Sequence, residues 1–172
     1  MKQAISVVLI FLATCAARAQ SDSIYLHNGS KIACTVLKTT ETSVSFHYEN
    51  ETAEQTYGKY AVWKVVFGKS GRVQKMSKKI RLDADDGWEN VEIVENPDEL
   101  AGLNNAGEVE FNMGIFVINT PQGEENKAKR TLKKQAAKKG CQFILMKPQG
   151  MSSFAPTLRK NLKSQTATAY SY

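Results

Sequence analysis

Two histidines, His27 and His47, and three cysteines, Cys15, Cys34 and Cys141, are the residues of this 172-residue chain best suited to metal, redox or nucleophilic chemistry. His27 and His47 take the outward parity of a first and a third strand pattern. With one strand between them, their rings stand roughly 9–10 Å apart. One zinc ion, with Zn–N bonds of about 2.0–2.1 Å, does not span that gap, so both rings are expected to be solvated. Asp83-Ala84-Asp85-Asp86-Gly87 has the acid spacing of a calcium loop, but its glycine comes one residue early and Val94 replaces the closing glutamate. It reads as an acidic linker. Gly68-Lys69-Ser70-Gly71 contains the Gly-Lys-Ser of a phosphate loop, yet Trp63 holds the place of the first glycine, so a hairpin turn is the better reading. Neither Cys34 nor Cys141 has a base beside it, and there is no Gly-x-Ser-x-Gly elbow. Paired carboxylates could still meet in space, but those between 83 and 110 read as solvent-facing or charge-paired. No catalytic, cofactor-binding or metal-ligating residue is assigned on these patterns, and no cofactor is expected.

Charge is what the chain concentrates. Residues 20–82 carry a net +5, residues 83–110 carry −10 with no Lys or Arg, and residues 126–172 carry +11 with no acid. Seven bases fall within 127–139. Of these, Lys129, Arg130, Lys133, Lys134 and Lys138 are the candidate contacts for an anionic partner, such as a lipid headgroup or acidic glycan. The competing reading folds the acidic and basic blocks against each other, so that they largely neutralise.

The elements that would position these residues begin after a leader. Lys2, the apolar run 4–16 and Ala17-Arg18-Ala19 have the pattern of a signal peptide cleaved before Gln20. The apolar run is short for a span, which needs roughly 20 residues. Leu12-Ala13-Thr14-Cys15 resembles a bacterial lipobox, which would instead anchor the chain at Cys15. Export argues against nucleic acid as a partner. In an oxidising compartment Cys34 and Cys141 could close a 107-residue loop, worth about 4.7 kcal/mol. The core-facing parity of Cys34, and the placement of each cysteine beside a different strand pattern, favour two separate buried thiols.

From Ser23 to Arg81 the period is two. Strands are expected at Ile24–Leu26, at Ile32–Val36 after an Asn28-Gly29 turn, at Val44–Tyr48, briefly from Gln55, and in a hairpin of Val65-Val66-Phe67 with Val73–Met76. Tyr60-Ala61-Val62-Trp63 reads as a single turn, and Trp63 and Trp88 read as core or domain-packing residues. Ile24-x-Leu26-x-Asn28-Gly29-x-x-Ile32-x-x-x-Val36, with Val44-x-Phe46-x-Tyr48 and Val66-Phe67, resembles the SH3-like or Sm-like barrels of exported bacterial proteins. That resemblance implies a five-stranded barrel over 20–81 and carries no particular function.

Beyond an acidic linker at 82–90, strands are expected at 91–94, 107–113, 115–118, 141–146 and 165–172. A helix from Glu124 to Lys139 has Ala128, Leu132 and Ala136 as an apolar seam and Gly140 as its cap. Ala128-x-x-x-Leu132-x-x-x-Ala136-x-x-x-Gly140-Cys141-x-x-Ile144 resembles small α+β domains of bacterial envelope proteins, among them the outer-membrane stress-sensor lipoproteins and a family labelled heavy-metal-binding. The fold expectation is therefore mostly β plus α+β: a barrel, then an antiparallel sheet packed with one helix over 91–172. The expected function is binding or structural work in a bacterial envelope, in the periplasm or at the cell surface, with a protein, glycan or anionic lipid headgroup as partner. The alternative is a hydrolase-type enzyme with its site between the two domains.

Overall fold

The computed structural model describes residues 21–82, 87–111, 121–146 and 165–172. The expected signal peptide with Cys15, the acids at 83–86, Met113, the strand expected at 115–118 and the connection 147–163 lie outside the described residues.

The first sheet contains β1 (Asp22–Leu26), β2 (Lys31–Thr39), β3 (Ser43–Tyr48), β4 (Glu54–Gly58), β5 (Val62–Val66) and β6 (Val73–Lys75). Its order is β4-β3-β2-β1-β5-β6, and every pair is antiparallel. Strict alternation puts Ile24, Cys34, Val44, Phe46 and Val65 on one face, all fully buried in a single core. The Asn28-Gly29 turn forms as expected. Gly29 has φ +95°, and Asn28 Oδ1 accepts the Ser30 N–H at 2.9 Å.

Two expectations are corrected here. The sheet has six strands and is not closed, because β4 and β6 are its hydrogen-bonding edges; the expected five-stranded barrel is not what forms. Val62 and Trp63 belong to β5 and not to a turn. The cause is a bulge: Tyr25 pairs with Lys64 but the next residue, Leu26, pairs with Val62, leaving Trp63 as the extra residue. Buried Val62 and Val65 are thus three apart, a spacing that a two-residue period misreads as a turn. Trp63 is consequently 43% exposed rather than packed in a core.

The second sheet has the order β7-β9-β10-β8, with β7 (Glu92–Val94), β8 (Asn104–Phe111), β9 (Phe143–Met146) and β10 (Gln165–Ser171). It is mixed and not antiparallel as expected, because β7 runs parallel to β9. β10 pairs antiparallel with both β8 and β9, so β8 and β9 are parallel with β10 inserted between them. The helix α1 (Pro121–Lys138) connects those two strands, a split β-α-β unit. Three-residue β7 carries no signal of which way its partner runs, since β8 and α1 intervene in the chain.

Ala128, Leu132 and Ala136 are fully buried against Val109, Ile144, Ala167 and Ala169. The small residues at four-residue spacing let α1 lie close on the sheet. Gly140, with φ +72°, ends the helix: Gly140 N–H donates to Ala137 O and Cys141 N–H to Ala136 O, both at 2.9 Å.

Phe143 and Ile144 are both fully buried but on opposite faces of β9, which explains why Phe143–Met146 is apolar throughout. Phe143 joins Val94 and Leu100 in a further core cluster, with Tyr60 and Ile80 from the N-terminal half packed against it. The second sheet therefore lies between α1 on one face and elements of the N-terminal half on the other. Gly58 closes the junction, donating its N–H to Ala101 O at 2.8 Å. The stretch expected as linker contributes too: Gly87–Asn90 form a 3-10 turn with Gly87 buried, packed on α1.

Candidate functional site

Where the chain passes from the first sheet to the second, residues 79–81, the turn Gly87–Asn90, β7 and α1 enclose an open groove of about 700 Å³. Lys79, Arg81 and Lys133 line it, with Glu89, Asn90 and Glu92. Each cation arrives by a distinct anchor. Lys79 Nζ donates to His27 O at 2.8 Å, and Lys133 Nζ to Glu89 O at 3.3 Å. Asn90 Nδ2 donates to Arg81 O at 3.2 Å, and Ile80 N–H to the Tyr172 hydroxyl oxygen at 2.9 Å, which fixes the strip from both sides. Both lysines donate to neutral main-chain carbonyls and not to carboxylates in these bonds. Glu92 Oε1 accepts a hydrogen bond from the Tyr60 hydroxyl. Burial, then the bond to Glu92, pushes the Tyr60 hydroxyl well above the ordinary phenol range.

The basic helix divides its residues among different tasks. Of the five sequence candidates, only Lys133 reaches the groove. Arg130 and Lys134 each stand 5.1 Å from the centre of the half-buried Trp88 ring, a pair of cation–π contacts between α1 and the Gly87–Asn90 turn. Lys129 pairs with Glu125 one turn back at 2.6 Å, and Lys138 is exposed in the last turn. Beyond them, Gln135 covers the open edge of β8. Its Nε2 donates to Glu110 O at 2.9 Å and its Oε1 accepts Glu110 N–H at 3.1 Å, as a neighbouring strand would.

The acidic and basic blocks lie side by side where the Gly87–Asn90 turn and β8 pack against α1. Ion pairs join Lys59 to Glu99 at 2.9 Å and Lys129 to Glu125. Lys133 and Lys139 instead donate to the main-chain carbonyls of Glu89 and Glu108. Sequence reasoning missed Lys79 and Arg81. The run Lys78-Lys79-Ile80-Arg81 was the available signal, overshadowed by the denser run in α1.

His27 is a correction: it is 5% exposed and not solvated. β1 ends at Leu26, so outward parity no longer applies one residue later, and His27 N–H donates to Ala61 O at 3.0 Å. Its Nε2 lies 2.8 Å from Ser77 Oγ, whose own proton goes to Val62 O at 2.9 Å. Ser77 must then accept, so His27 Nε2 carries a hydrogen. Burial, then nearby Lys79, holds the imidazole below its ordinary range. His47 is half-buried in β3, opposite Thr35 and Glu54.

Cys34 and Cys141 are both free, fully buried, and in different cores. Burial first, and Asp22 second, pushes the Cys34 thiol up to about 11; burial also raises Cys141. Thiols so protonated are poor nucleophiles at neutral pH. Among the described residues, no three of His, Cys, Asp and Glu gather as a metal site, and no helix is long and apolar enough to cross a membrane. No protein-family model, curated protein or solved structure matches the chain.

Proposed function

We propose that the chain is an exported, non-enzymatic binding protein of a bacterial envelope, and that the groove lined by Lys79, Arg81 and Lys133 takes an anionic group of the partner. A protein carboxylate, an acidic glycan or a lipid headgroup each offers that chemistry. The observation that carries the reading is the convergence of Lys79 and Arg81 with Lys133, from segments far apart in the chain, on one open groove. Lysines held by carbonyls keep a charge that a partner can answer, whereas lysines in ion pairs do not.

The test is calorimetric titration of the purified protein with inorganic polyphosphate. A cation–anion contact at 4 Å is worth about 1 kcal/mol in water, so reversing both Arg81→Glu and Lys133→Glu weakens binding by about tenfold or more. Affinity of the native protein should also fall steeply between low and physiological salt. Salt-independent binding, or equal affinity of the double variant, overturns the assignment. Turnover of an ester or glycoside that Glu89→Gln abolishes would favour the hydrolase reading instead.

A further inference from the structure

We infer that the outward face of the first sheet docks the protein on an anionic lipid bilayer, through a site that shares no residue with the groove. The register aligns Lys31 with Tyr25, Tyr25 with Lys64 and Lys64 with Lys75, one straight row across β2, β1, β5 and β6. At about 4.8 Å between strands, the row spans roughly 14 Å. The parallel row two residues along is Ala33, Ser23, Val66 and Val73. Neither row contains an acid.

The β5 bulge sets Trp63 and Lys64 together opposite Tyr25. Tyr25 and Trp63 meet edge to face at 6.4 Å and 84°. Lys64 Nζ lies 4.6 Å from the centre of Tyr25 and 4.4 Å from that of Trp63, and Lys31 lies 5.6 Å from Tyr25. Trp63 and Val73 are among the most exposed large apolar side chains described, at 43% and 52%.

Two features of this face run against stability. Lys64 and Lys75 are direct cross-strand partners of like charge, an unfavourable pairing. An exposed tryptophan on a bulge adds nothing to the core beneath it. The ring contacts of Lys64 offset some of that cost locally, but they leave Trp63 and the lysine row facing outward, available for contact.

The occupant follows from the chemistry. Tryptophan and tyrosine prefer the boundary between headgroups and acyl chains, and lysines beside them answer anionic headgroups, each contributing about fivefold to affinity. Val73 adds apolar area, and a sheet face suits a planar partner. A sugar ring would need an open aromatic plane to stack on. Here the two rings meet edge to face with Lys64 drawn against both, which disfavours an acidic polysaccharide.

Cosedimentation of the purified protein with vesicles decides the matter. Binding is expected to phosphatidylglycerol–phosphatidylethanolamine vesicles and not to phosphatidylcholine alone, weakening as salt rises. Lys31→Glu with Lys64→Glu should lower affinity at least tenfold. Trp63→Ala should lower it severalfold while leaving the salt dependence in place. Arg81→Glu with Lys133→Glu should change nothing, which separates this face from the groove. The altered side chains lie outside the core, and matching urea transitions confirm that each variant is folded. Equal binding to neutral and anionic vesicles overturns the proposal. So does undiminished binding by the sheet variants, loss confined to the groove variants, or capture of soluble alginate through Lys31 and Lys64 with no vesicle binding.

Discussion

Gly58→Ala tests whether the two sheets form one body. Gly58 is not among the glycines with positive φ, so alanine meets no backbone penalty there. What it lacks is room: a Cβ at this position would overlap the main-chain carbonyl of Glu99 and crowd Asp98 O at 2.6 Å. The obstacle is backbone, so the turn Pro97–Leu100 has to move. That displacement pulls on Gly58 N–H to Ala101 O at 2.8 Å, Tyr60 N–H to Glu99 O at 3.3 Å, and the Lys59–Glu99 pair. Overpacking costs about 1–3 kcal/mol and each weakened hydrogen bond about 0.5–1.5, so the total is about 2–6 kcal/mol, against about 5–15 for a whole domain. Gly29→Ala is the control. Its φ of +95° imposes backbone strain of about 1–2 kcal/mol, but nothing lies within 4 Å of the added methyl. Urea unfolding of both variants, followed by circular dichroism and by tryptophan fluorescence, gives the comparison. Gly58→Ala should lose clearly more than Gly29→Ala, with the two probes coincident in the native protein. If the variants lose the same amount, the turn is not seated on β4, and the reasoning about a shared core fails with it.

The buried imidazole of His27 predicts a pH dependence of definite sign. Its folded pKa lies below the unfolded value of about 6.5, so the unfolded chain binds the proton more readily. Its contribution is complete above that unfolded value and is lost as pH falls toward and through the lowered folded one. Urea midpoints should therefore drop between pH 7.5 and pH 5, and His27→Gln should flatten that part of the profile; an unchanged profile in the variant would assign the drop to other groups. Gln135→Ala uncovers Glu110 N–H and C=O on the β8 edge. Hydrogen exchange at the Glu110 amide should quicken by about fivefold, for the loss of a bond worth about 1 kcal/mol, and the variant should associate more readily; unaltered exchange would mean that the amide side chain does not stand in for a strand.

The parts of this fold that can be read from residues alone are those governed by a local period. Ile24 with Leu26 and Val44 with Phe46 alternate, and each pair is buried; Ala128, Leu132 and Ala136 recur every fourth residue and lie at the bottom of α1. Asn28-Gly29 and Gly140 punctuate as their tolerance of positive φ requires. What escapes is non-local. The bulge at Trp63 is visible only through its pairing with β1. The parallel direction of β7 depends on β9, about fifty residues downstream, and the burial of His27 on Ser77 and Tyr172, reached through tertiary contact. The basic helix was legible as charge but not as function, because a lysine that grips a carbonyl and one that clasps a tryptophan look alike in a sequence.

The two faces argued here differ in how much of the fold each requires. Lys31, Tyr25, Lys64 and Lys75 all stand on the first sheet, in a register held by β1, β2, β5 and β6 alone. The groove has no such independence. Lys79 is fixed by His27 at the end of β1, Arg81 by Asn90 in the turn against α1, and Lys133 by Glu89 in that same turn. Its three cations converge only when both sheets are docked. A change that loosens the junction without touching either face, as Gly58→Ala does, should therefore weaken polyphosphate at the groove while leaving vesicle binding by the first sheet intact. That asymmetry follows from topology, because a site assembled from two bodies shares the fate of their interface and a site carried by one does not.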